Sequence, residues 1–360
     1  MFREILDERV AGRPRCSLVP EGKTLAYVPM ELLKCVVFLG YIDQKGEEQF
    51  AGSAFWISRP GPEDIKNDYR PCYLVTAGHV LEDIKKRAAA GDNRVRIRIN
   101  LAEGMQKWMD TPIDYWKFHP NFPSMDLAVL KIGISAAWDH VAWPMEAFVS
   151  EQSMSDDGRK IELGDELFFA GLFWPHTGEK RNIPIVRIGN VAALRGEPVV
   201  NSYGKPMDAY LAESRSVGGL SGSPTFVDVL LAKQTYVGER AWRTGQFPAK
   251  FRLMGVIHGH FNSGDRQPDN TLAEDEKLGV NLGIAMIMPA DAILKVLEVF
   301  VKEEEEEIEA ARNKKRTLVV ADSVPQSNVA AQVTSTGITI PVPTKEQFLT
   351  DLGRTSSKKD

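Results

Sequence analysis

The chain has 360 residues, of which 43% are hydrophobic and 26% are charged, and its formal net charge at pH 7 is -5. This composition predicts a soluble globular protein that can bury one large core or two of ordinary size. The slightly acidic balance argues against a general affinity for nucleic acid or anionic membrane surfaces, so neither is expected as a partner.

The N-terminus and the cysteines bear on the cellular compartment. Residues 1–9 contain no continuous apolar stretch and include acidic side chains, which is unlike a secretory signal. No apolar run approaches the roughly 18 residues of a transmembrane helix. The cysteines Cys16, Cys35 and Cys72 are odd in number and widely spaced, which favours reduced thiols over disulfides. We therefore expect a cytoplasmic location and no membrane partner.

The first part of the chain is predicted to be a lead-in, 1–23, followed by a β unit, 24–150. Short runs of β-branched and aromatic residues predict strands at 34–39, 51–58, 72–76, 95–99 and 125–132. The clearest helical pattern in this half is 80–90, and a mixed helical or looped connection is expected at 136–148. Many short strands separated by turn signals are typical of a sandwich or barrel.

A second β unit is predicted over 151–300, beginning in an acidic stretch at 153–158. Its expected strands are 166–172, 185–191, 209–213, 223–226, 251–258 and 282–288. After Pro289 the apolar spacing becomes helical, which predicts a closing helix packed on a barrel. The connections 227–250 and 261–278 are long, as functional or mobile segments often are.

The tail, residues 301–360, differs from both β units. Five consecutive glutamates at 303–307 precede a basic cluster, an order that suits a solvated helical extension. Residues 317–343 predict a linker, and a capping-box pattern from Thr344 predicts a short terminal helix. The fold class expected for the chain is all-β, with a C-terminal helix and a charged helical or linker tail. One hypothesis for the tail is that it binds a regulatory partner.

A serine lies among glycines in the stretch Gly-Gly-Leu-Ser-Gly-Ser-Pro at 218–224. The glycines permit a sharp turn in which the N–H groups of Gly219 and Ser221 face one point, where an oxyanion could bind. The alternative is an ordinary Gly/Ser/Pro turn. A serine hydroxyl becomes a nucleophile only beside an imidazole that is itself held by a carboxylate, so the chain must supply both.

His79 and Asp126 are the candidates for these two groups. His79 ends an apolar strand, where the small residues before it leave room for another group; the alternative is a structural histidine. Asp126 opens an apolar run, and a carboxylate there is costly unless a donor such as an imidazole N–H pairs with it. The alternative is an aspartate that caps a neighbouring turn. The order along the chain is His, Asp, Ser, with the first two in one β unit and Ser221 in the next.

Together these motifs resemble those of the trypsin-like (chymotrypsin-fold) serine peptidases, most of all the bacterial Deg-type branch. Residues 76–79 are similar to the histidine motif of that family, 126–131 to its aspartate motif and 219–224 to its serine motif. Weaker similarities occur at 51–57, 163–166, 186–194, 283–286 and 292–297. The resemblance spans roughly residues 30–300 and implies a trypsin-like double β-barrel.

The resemblance also implies an activity, a serine endopeptidase (hydrolase) that cleaves peptide bonds of protein substrates through an acyl-enzyme. His79 would be the general base and then the acid, Asp126 would orient it, and Ser221 would be acylated. The N–H groups of Gly219 and Ser221 would form the oxyanion hole. No cofactor or metal is expected, because the chain has no HExxH or paired CxxC motif and His258 with His260 would be only two ligands.

Two positions and one region depart from the family pattern. Leu220 replaces the usual Asp or Asn before the nucleophile, so activation by clipping of the N-terminus is not expected. Ser223 replaces a common glycine, a change that should be tolerated. The residues after Pro289 are charged or linker-like, so the accessory peptide-binding domain of Deg-type enzymes is not expected.

The strand 253–260 resembles the one that lines the primary substrate pocket in this family. His258 and His260 are two residues apart and are predicted to point to the same side, with Arg215 near the pocket base. These cations suggest a preference for an acidic residue before the cleaved bond. Alternatively, His260 is exposed to solvent and Arg215 pairs with a surface glutamate. His258 also stands where relatives often have a small residue beside the catalytic aspartate.

Two further functions stay open beside the active peptidase. A catalytically silent relative would use its groove or its C-terminal tail to bind a partner. A latent peptidase would need a partner to order the connection 227–250 or 261–278.

Overall fold

The protein is represented by a computed structural model, and the residues that it describes are 28–61, 70–149, 161–201, 203–214, 219–228, 251–262, 281–323, 331–333 and 339–341. The predicted lead-in, nearly all of the two long connections and the predicted terminal helix lie outside the described residues. The helices are α1 (Met30–Leu33), α2 (Gly78–Arg87) and α3 (Asp291–Ser323), with 3-10 turns at Ile113–Tyr115 and Met145–Ala147.

The described strands, in chain order, are β1 (Val36–Ile42), β2 (Glu48–Ser58), β3 (Cys72–Ala77), β4 (Arg94–Asn100), β5 (Gln106–Pro112), β6 (Trp116–Phe118), β7 (Leu127–Lys131), β8 (Trp143–Pro144), β9 (Glu166–Gly171), β10 (Ile185–Ala193), β11 (Val199–Val200), β12 (Pro206–Met207), β13 (Tyr210–Glu213), β14 (Pro224–Asp228), β15 (Phe251–Asn262), β16 (Asn281–Pro289), β17 (Ala331–Val333) and β18 (Thr339–Pro341). Strands therefore dominate, and the prediction of an all-β fold is confirmed.

The first β unit is an eight-stranded sheet. Seven of its strands follow the order β5-β4-β1-β2-β3-β7-β6, and the eighth, β8, pairs in parallel with β2. Strands β3 and β7 are antiparallel, and their last pair joins Ala77 to Leu127. Ala77 is the last residue of β3 and Leu127 is the first of β7, so the next residue after β3, Gly78, lies beside the residue before β7, Asp126. The Gly78 N–H donates to the Asp126 carbonyl at 3.1 Å. The strand register thus brings two distant parts of the sequence together at one end of the sheet.

The second β unit is a closed barrel with the strand order β10-β13-β16-β15-β14-β9. Closure leaves no free strand edge, and the interior is filled by apolar side chains such as Leu167, Ile257 and Ile287. Burying each such side chain stabilises the fold by about 1.5–3 kcal/mol. Leu220, from the predicted serine motif, belongs to the same buried cluster and is 3% exposed. A sheet followed by a closed barrel is the two-unit β architecture that the sequence predicts.

Aromatic side chains and backbone hydrogen bonds join the two β units. The Trp143 ring packs edge-on against Phe226 of β14 with centroids 4.7 Å apart. The Ser53 N–H, from β2, donates to the Ser221 carbonyl at 3.0 Å. The turn at 219–223 that carries Ser221, here called the serine turn, is therefore hydrogen-bonded to a strand of the first sheet.

The chain divides into two compact units, Met1–Val299 and Phe300–Asp360, with both β units in the first. Helix α3 starts in the first unit and continues to Ser323, so it extends into the segment predicted as a linker. That segment also contains the antiparallel pair β17 and β18. The linker prediction is therefore wrong for these stretches. In the described part of the chain, no helix combines the length and apolar character that crossing a bilayer requires.

Candidate active site

His79 and Asp126, predicted to work together, are hydrogen-bonded in the structure. The Nδ1 atom of His79 lies 2.5 Å from Oδ2 of Asp126. An ionised carboxylate only accepts hydrogen bonds, so Nδ1 carries a hydrogen, and in the neutral imidazole the lone pair is then on Nε2. The His79 side chain is 23% exposed while that of Asp126 is fully buried. A base that solvent or substrate can reach is thus held by a carboxylate that neither can reach.

Asp126 also caps helix α2. Its Oδ1 accepts the backbone N–H of His79 at 2.7 Å, one of the N–H groups that the first turn of a helix leaves without an intrahelical partner. A negative charge at a helix N-terminus is favoured by the helix dipole. The predicted imidazole partner and the alternative, a capping aspartate, are therefore both present, one on each carboxylate oxygen.

Hydrogen bonds keep Asp126 ionised despite its burial. Burial raises the pKa of Asp126, but the hydrogen bonds from His258 and His79 lower it by more, so the pKa lies below its usual range. A small residue is needed next to it, because a Cβ on Gly78 would lie 2.9 Å from Oδ1 and 2.7 Å from the Phe122 ring. The apolar strand end and the glycine before His79 thus create the space for this carboxylate.

The serine turn has a backbone that its glycines permit. Gly219 has a φ of 102° and Gly222 a φ of 80°. Residues other than glycine rarely adopt these backbone angles. A Cβ on Gly222 would also overlap the Ser53 carbonyl oxygen and Thr76 Oγ1. Ser223 does not have a positive φ, so its backbone conformation accommodates a side chain, as the sequence predicts.

Gly219 and Ser221 retain free backbone donors. Within the described part of the chain, neither N–H group has a hydrogen-bond acceptor, although the following Gly222 N–H donates to the Ile257 carbonyl at 2.9 Å. Unpaired N–H groups beside a nucleophile are available for a developing oxyanion. Their role as the oxyanion hole stays a prediction.

The Ser221 hydroxyl does not engage His79 in this structure. Its Oγ donates to the backbone carbonyl of His258 at 3.2 Å. The hydroxyl hydrogen is therefore directed at a main-chain carbonyl of β15 rather than at the base. For proton transfer to His79, the hydroxyl has to give up this hydrogen bond and direct its hydrogen at the imidazole.

His258 differs from its predicted position. The sequence predicts that it lines the substrate pocket, but the residue is buried and its Nδ1 lies 2.6 Å from Oδ2 of Asp126. The physical reason is an irregularity in β15, where Ile257 pairs with Ile287 and the next pair is Gly259 with Met286. The extra residue, His258, interrupts the alternation on which the prediction depended.

The other two predicted pocket residues have different outcomes. His260 is partly exposed and is paired with Ala285 in β15–β16. Arg215, and Gly218 of the serine motif, lie outside the described residues. The predicted pocket for an acidic substrate residue therefore loses the side chain of His258, and the role of His260 in it stays a prediction.

Three of these side chains could in principle bind a metal. His79, Asp126 and His258 offer ligand atoms that all lie within 4.8 Å of one another. Zinc bonds of about 2.0–2.2 Å would place tetrahedral ligands about 3.3 Å apart, whereas both Nδ1 atoms lie 2.5 and 2.6 Å from one carboxylate oxygen. Contacts this short are hydrogen bonds to a charged acceptor. The cluster is therefore accounted for by two imidazole N–H donors on one oxygen of an ionised carboxylate.

Ser53 is a site-forming residue whose side-chain role the sequence motifs did not indicate. Its buried Oγ accepts the Leu172 N–H at 2.9 Å and donates to the Gly219 carbonyl at 3.3 Å. Its carbonyl accepts the Thr76 hydroxyl at 2.8 Å. The available signal was weak, a small polar residue within an otherwise apolar strand.

Trp174 is a second residue that the sequence motifs did not single out. Its side chain is 45% exposed. A Cβ on Gly219 would lie 2.9 Å from its Cδ1. An accessible aromatic surface therefore borders the serine turn on the side of Gly219.

No protein-family model and no curated protein matches the chain. Among solved structures, the HtrA-type protease AlgW with a decapeptide has 16% sequence identity and a TM-score of 0.41, covering 75% of this chain and 65% of its own. Deg5 has 17% identity and a TM-score of 0.41, over 74% of this chain and 88% of its own. The MamO protease domain from Magnetospirillum magneticum, apo form, has 14% identity and a TM-score of 0.38, over 74% and 96%. These structural neighbours are trypsin-like serine proteases of the HtrA/Deg type, the group that the sequence motifs resemble.

Proposed function

We propose that this protein is a serine endopeptidase that cleaves peptide bonds of protein substrates, with Ser221, His79 and Asp126 as its catalytic residues. The observation that carries the proposal is the arrangement of His79, an accessible imidazole whose Nδ1 is held by a fully buried carboxylate. Such a pairing fixes the tautomer, leaves Nε2 as the base and stabilises the imidazolium that forms. The trypsin-like fold supports the same conclusion.

Acylation follows from these groups. Ser221 Oγ attacks the scissile carbonyl carbon, its proton passes to Nε2 of His79, and the carbonyl π electrons move onto the oxygen. The N–H groups of Gly219 and Ser221 stabilise that oxyanion. When it collapses, the C–N bond breaks and the leaving amine takes the proton from His79.

Deacylation repeats the sequence with water. His79 takes a proton from water as the oxygen attacks the ester carbonyl, and returns it to Ser221 Oγ when the acyl group leaves as a carboxylic acid. Asp126 stays ionised throughout and only orients and stabilises the imidazole. No cofactor takes part in this balance of atoms and charges.

The second candidate function is a binding module without activity of its own. The observation that favours it is the hydroxyl of Ser221, which donates to the His258 carbonyl instead of His79. A protein that keeps this arrangement in solution would be silent, or latent until substrate or a partner competes for that carbonyl. A substrate backbone N–H is one donor that could do so.

A fluorophosphonate probe tests the proposal, because it reacts only with an activated serine. We expect covalent labelling of the wild-type protein, none of Ser221→Ala, and full labelling of the matched control Ser223→Ala, whose hydroxyl is buried two residues away. The unlabelled wild-type protein should also hydrolyse an unfolded protein substrate, and labelling of Ser221 should abolish that activity. Folded wild-type protein that resists the probe contradicts the peptidase; labelling only after a cell extract or partner is added identifies the latent form.

The fragments of that substrate also test specificity. A preference for an acidic residue before the cleaved bond now depends on His260 and on Arg215. Turnover only after Lys, Phe or Ala would overturn it. The cytoplasmic location likewise stays a prediction and is tested by cell fractionation.

A further inference from the structure

His258 occupies an irregular point of β15, between the two halves of the candidate site. It is the extra residue at a bulge, since Ile257 and Gly259 pair with the consecutive residues Ile287 and Met286 of β16. A bulge re-aims one side chain without ending the strand. Here it turns an imidazole, 1% exposed, away from the groove and into the space beside Asp126.

The imidazoles of His258 and His79 share a single carboxylate oxygen. Both Nδ1 atoms contact Oδ2 of Asp126, at 2.6 and 2.5 Å, and a carboxylate oxygen has lone pairs for two donors. The two rings meet edge to face, with centroids 5.3 Å apart and an interplanar angle of 76°. Each Nδ1 must therefore carry its hydrogen, and the two rings approach the carboxylate from different directions.

From this geometry we infer that His258 is a positioning residue that holds the Asp126 carboxylate in the orientation required by His79, an inference that rests on the proposed peptidase function. His79 alone supplies one donor to each oxygen, through its N–H and its Nδ1–H. The second donor, from His258, fills the second acceptor site of Oδ2 and so further compensates the burial of this charge. The carboxylate then cannot rotate without breaking three hydrogen bonds.

The main chain of His258 extends this role to the nucleophile. Its carbonyl accepts the Ser221 hydroxyl at 3.2 Å, while its side chain contacts Asp126. One bulged residue thus touches a group from each β unit. The bulge fixes how far the serine turn of the barrel stands from the carboxylate of the first sheet.

A pair of substitutions separates the hydrogen bond from the packing. In His258→Asn, the amide Nδ2 can take the place of Nδ1 and keep a donor on Oδ2. In His258→Leu, a side chain of similar size fills the site without a donor. We expect the labelling rate with the fluorophosphonate probe to fall about ten- to a hundredfold in His258→Leu, as for loss of a hydrogen bond to a charged group. In His258→Asn it should stay within about threefold of the wild type.

Melting temperatures of both variants accompany these rates. Slow labelling in His258→Leu together with rescue in His258→Asn supports the inference when both remain folded. Equal rates in His258→Leu and wild type, or equally slow rates in both folded variants, overturn it. If His258 only filled space, the presence of a hydrogen-bond donor in asparagine and its absence in leucine would not separate the labelling rates of the two variants.

Proton NMR of histidine-labelled protein provides a readout that needs no activity. We expect two strongly downfield Nδ1–H resonances in the wild type, from His79 and His258, and one in His258→Asn. A wild-type protein that resists the probe but shows both resonances would refute the peptidase and retain the shared carboxylate. A single downfield resonance in active wild-type protein would do the opposite.

Discussion

His79 and Asp126 lie at one end of the first sheet and are joined by hydrogen bonds of 2.5 and 2.7 Å, whereas Ser221 lies on a glycine turn of the closed barrel and donates to a carbonyl of that barrel. The base and its carboxylate are thus assembled in the absence of substrate. The nucleophile is connected to them through His258, whose side chain contacts Asp126, but its hydroxyl donates to the His258 carbonyl and not to His79. The first β unit thus contributes a base that is already hydrogen-bonded to its carboxylate, here called the prepared half of the site. The barrel contributes a serine that is not yet hydrogen-bonded to the base, here called the turn half.

The difference has a structural cause. The pair in the first sheet is set by strand register, because Ala77 pairs with Leu127 and each strand leads directly into a functional residue. The serine turn precedes the β14–β15 ladder, and it is held by the buried side chain of Leu220 and by hydrogen bonds from Ser53. Its Gly222 N–H also donates to the Ile257 carbonyl of β15. Substitutions in the first sheet should therefore change chemistry more than shape, and substitutions in the turn should change shape first.

The largest effect on activity is expected from Asp126→Asn, which removes the carboxylate that accepts the Nδ1–H of His79 in the prepared half. An amide at this position can still accept the His79 N–H, but it no longer holds the imidazole in the tautomer that leaves Nε2 as a base. We expect kcat/KM to fall by roughly 10⁴, with the fold retained. Asp139→Asn, which removes a partly buried carboxylate paired with Lys34, is the matched control and should leave activity within about threefold. Activity of Asp126→Asn within tenfold of wild type would show that the pair is structural.

The next effect is expected from Leu220→Ala, which breaks the anchor of the turn. The side chain is 3% exposed in the barrel core, and truncating a buried leucine costs about 2–5 kcal/mol of unfolding free energy. Denaturant unfolding measures this loss, and Leu220→Met, which preserves volume, should cost less than about 1.5 kcal/mol. A folded Leu220→Ala protein of unchanged stability would mean that something else fixes the turn.

The contacts of the prepared half were largely predictable from the sequence. An aspartate at the mouth of an apolar strand needs a donor, and a histidine at the end of another such strand can supply one. What local sequence could not show is that Asp126 serves two donors of His79, its imidazole and its backbone N–H. Pairing and capping are compatible because each contact uses a different oxygen of the carboxylate.

The turn half was less predictable, for two physical reasons. Strand alternation assumes an uninterrupted ladder, so the inserted residue of β15 turned His258 inwards against the prediction. The sequence shows Leu220 only as the loss of a polar group beside the serine, because its burial among residues distant in sequence is a tertiary property. The continuous helix α3 similarly passes through a stretch whose local composition predicted a linker.

The smallest of these effects is expected from Ser53→Ala, which cuts a side-chain link between the two halves. The change removes the acceptor of the buried Leu172 N–H and the donor to the Gly219 carbonyl, while the backbone bond from Ser53 to Ser221 remains. An unsatisfied buried donor costs about 1–3 kcal/mol, and a turn released at Gly219 should label more slowly with the probe. Ser58→Ala, five residues further along the same strand, is the control and should affect stability without slowing labelling. If Ser53→Ala loses stability but labels at the wild-type rate, the turn keeps its shape without this link, and the nucleophile half is as well prepared as the base.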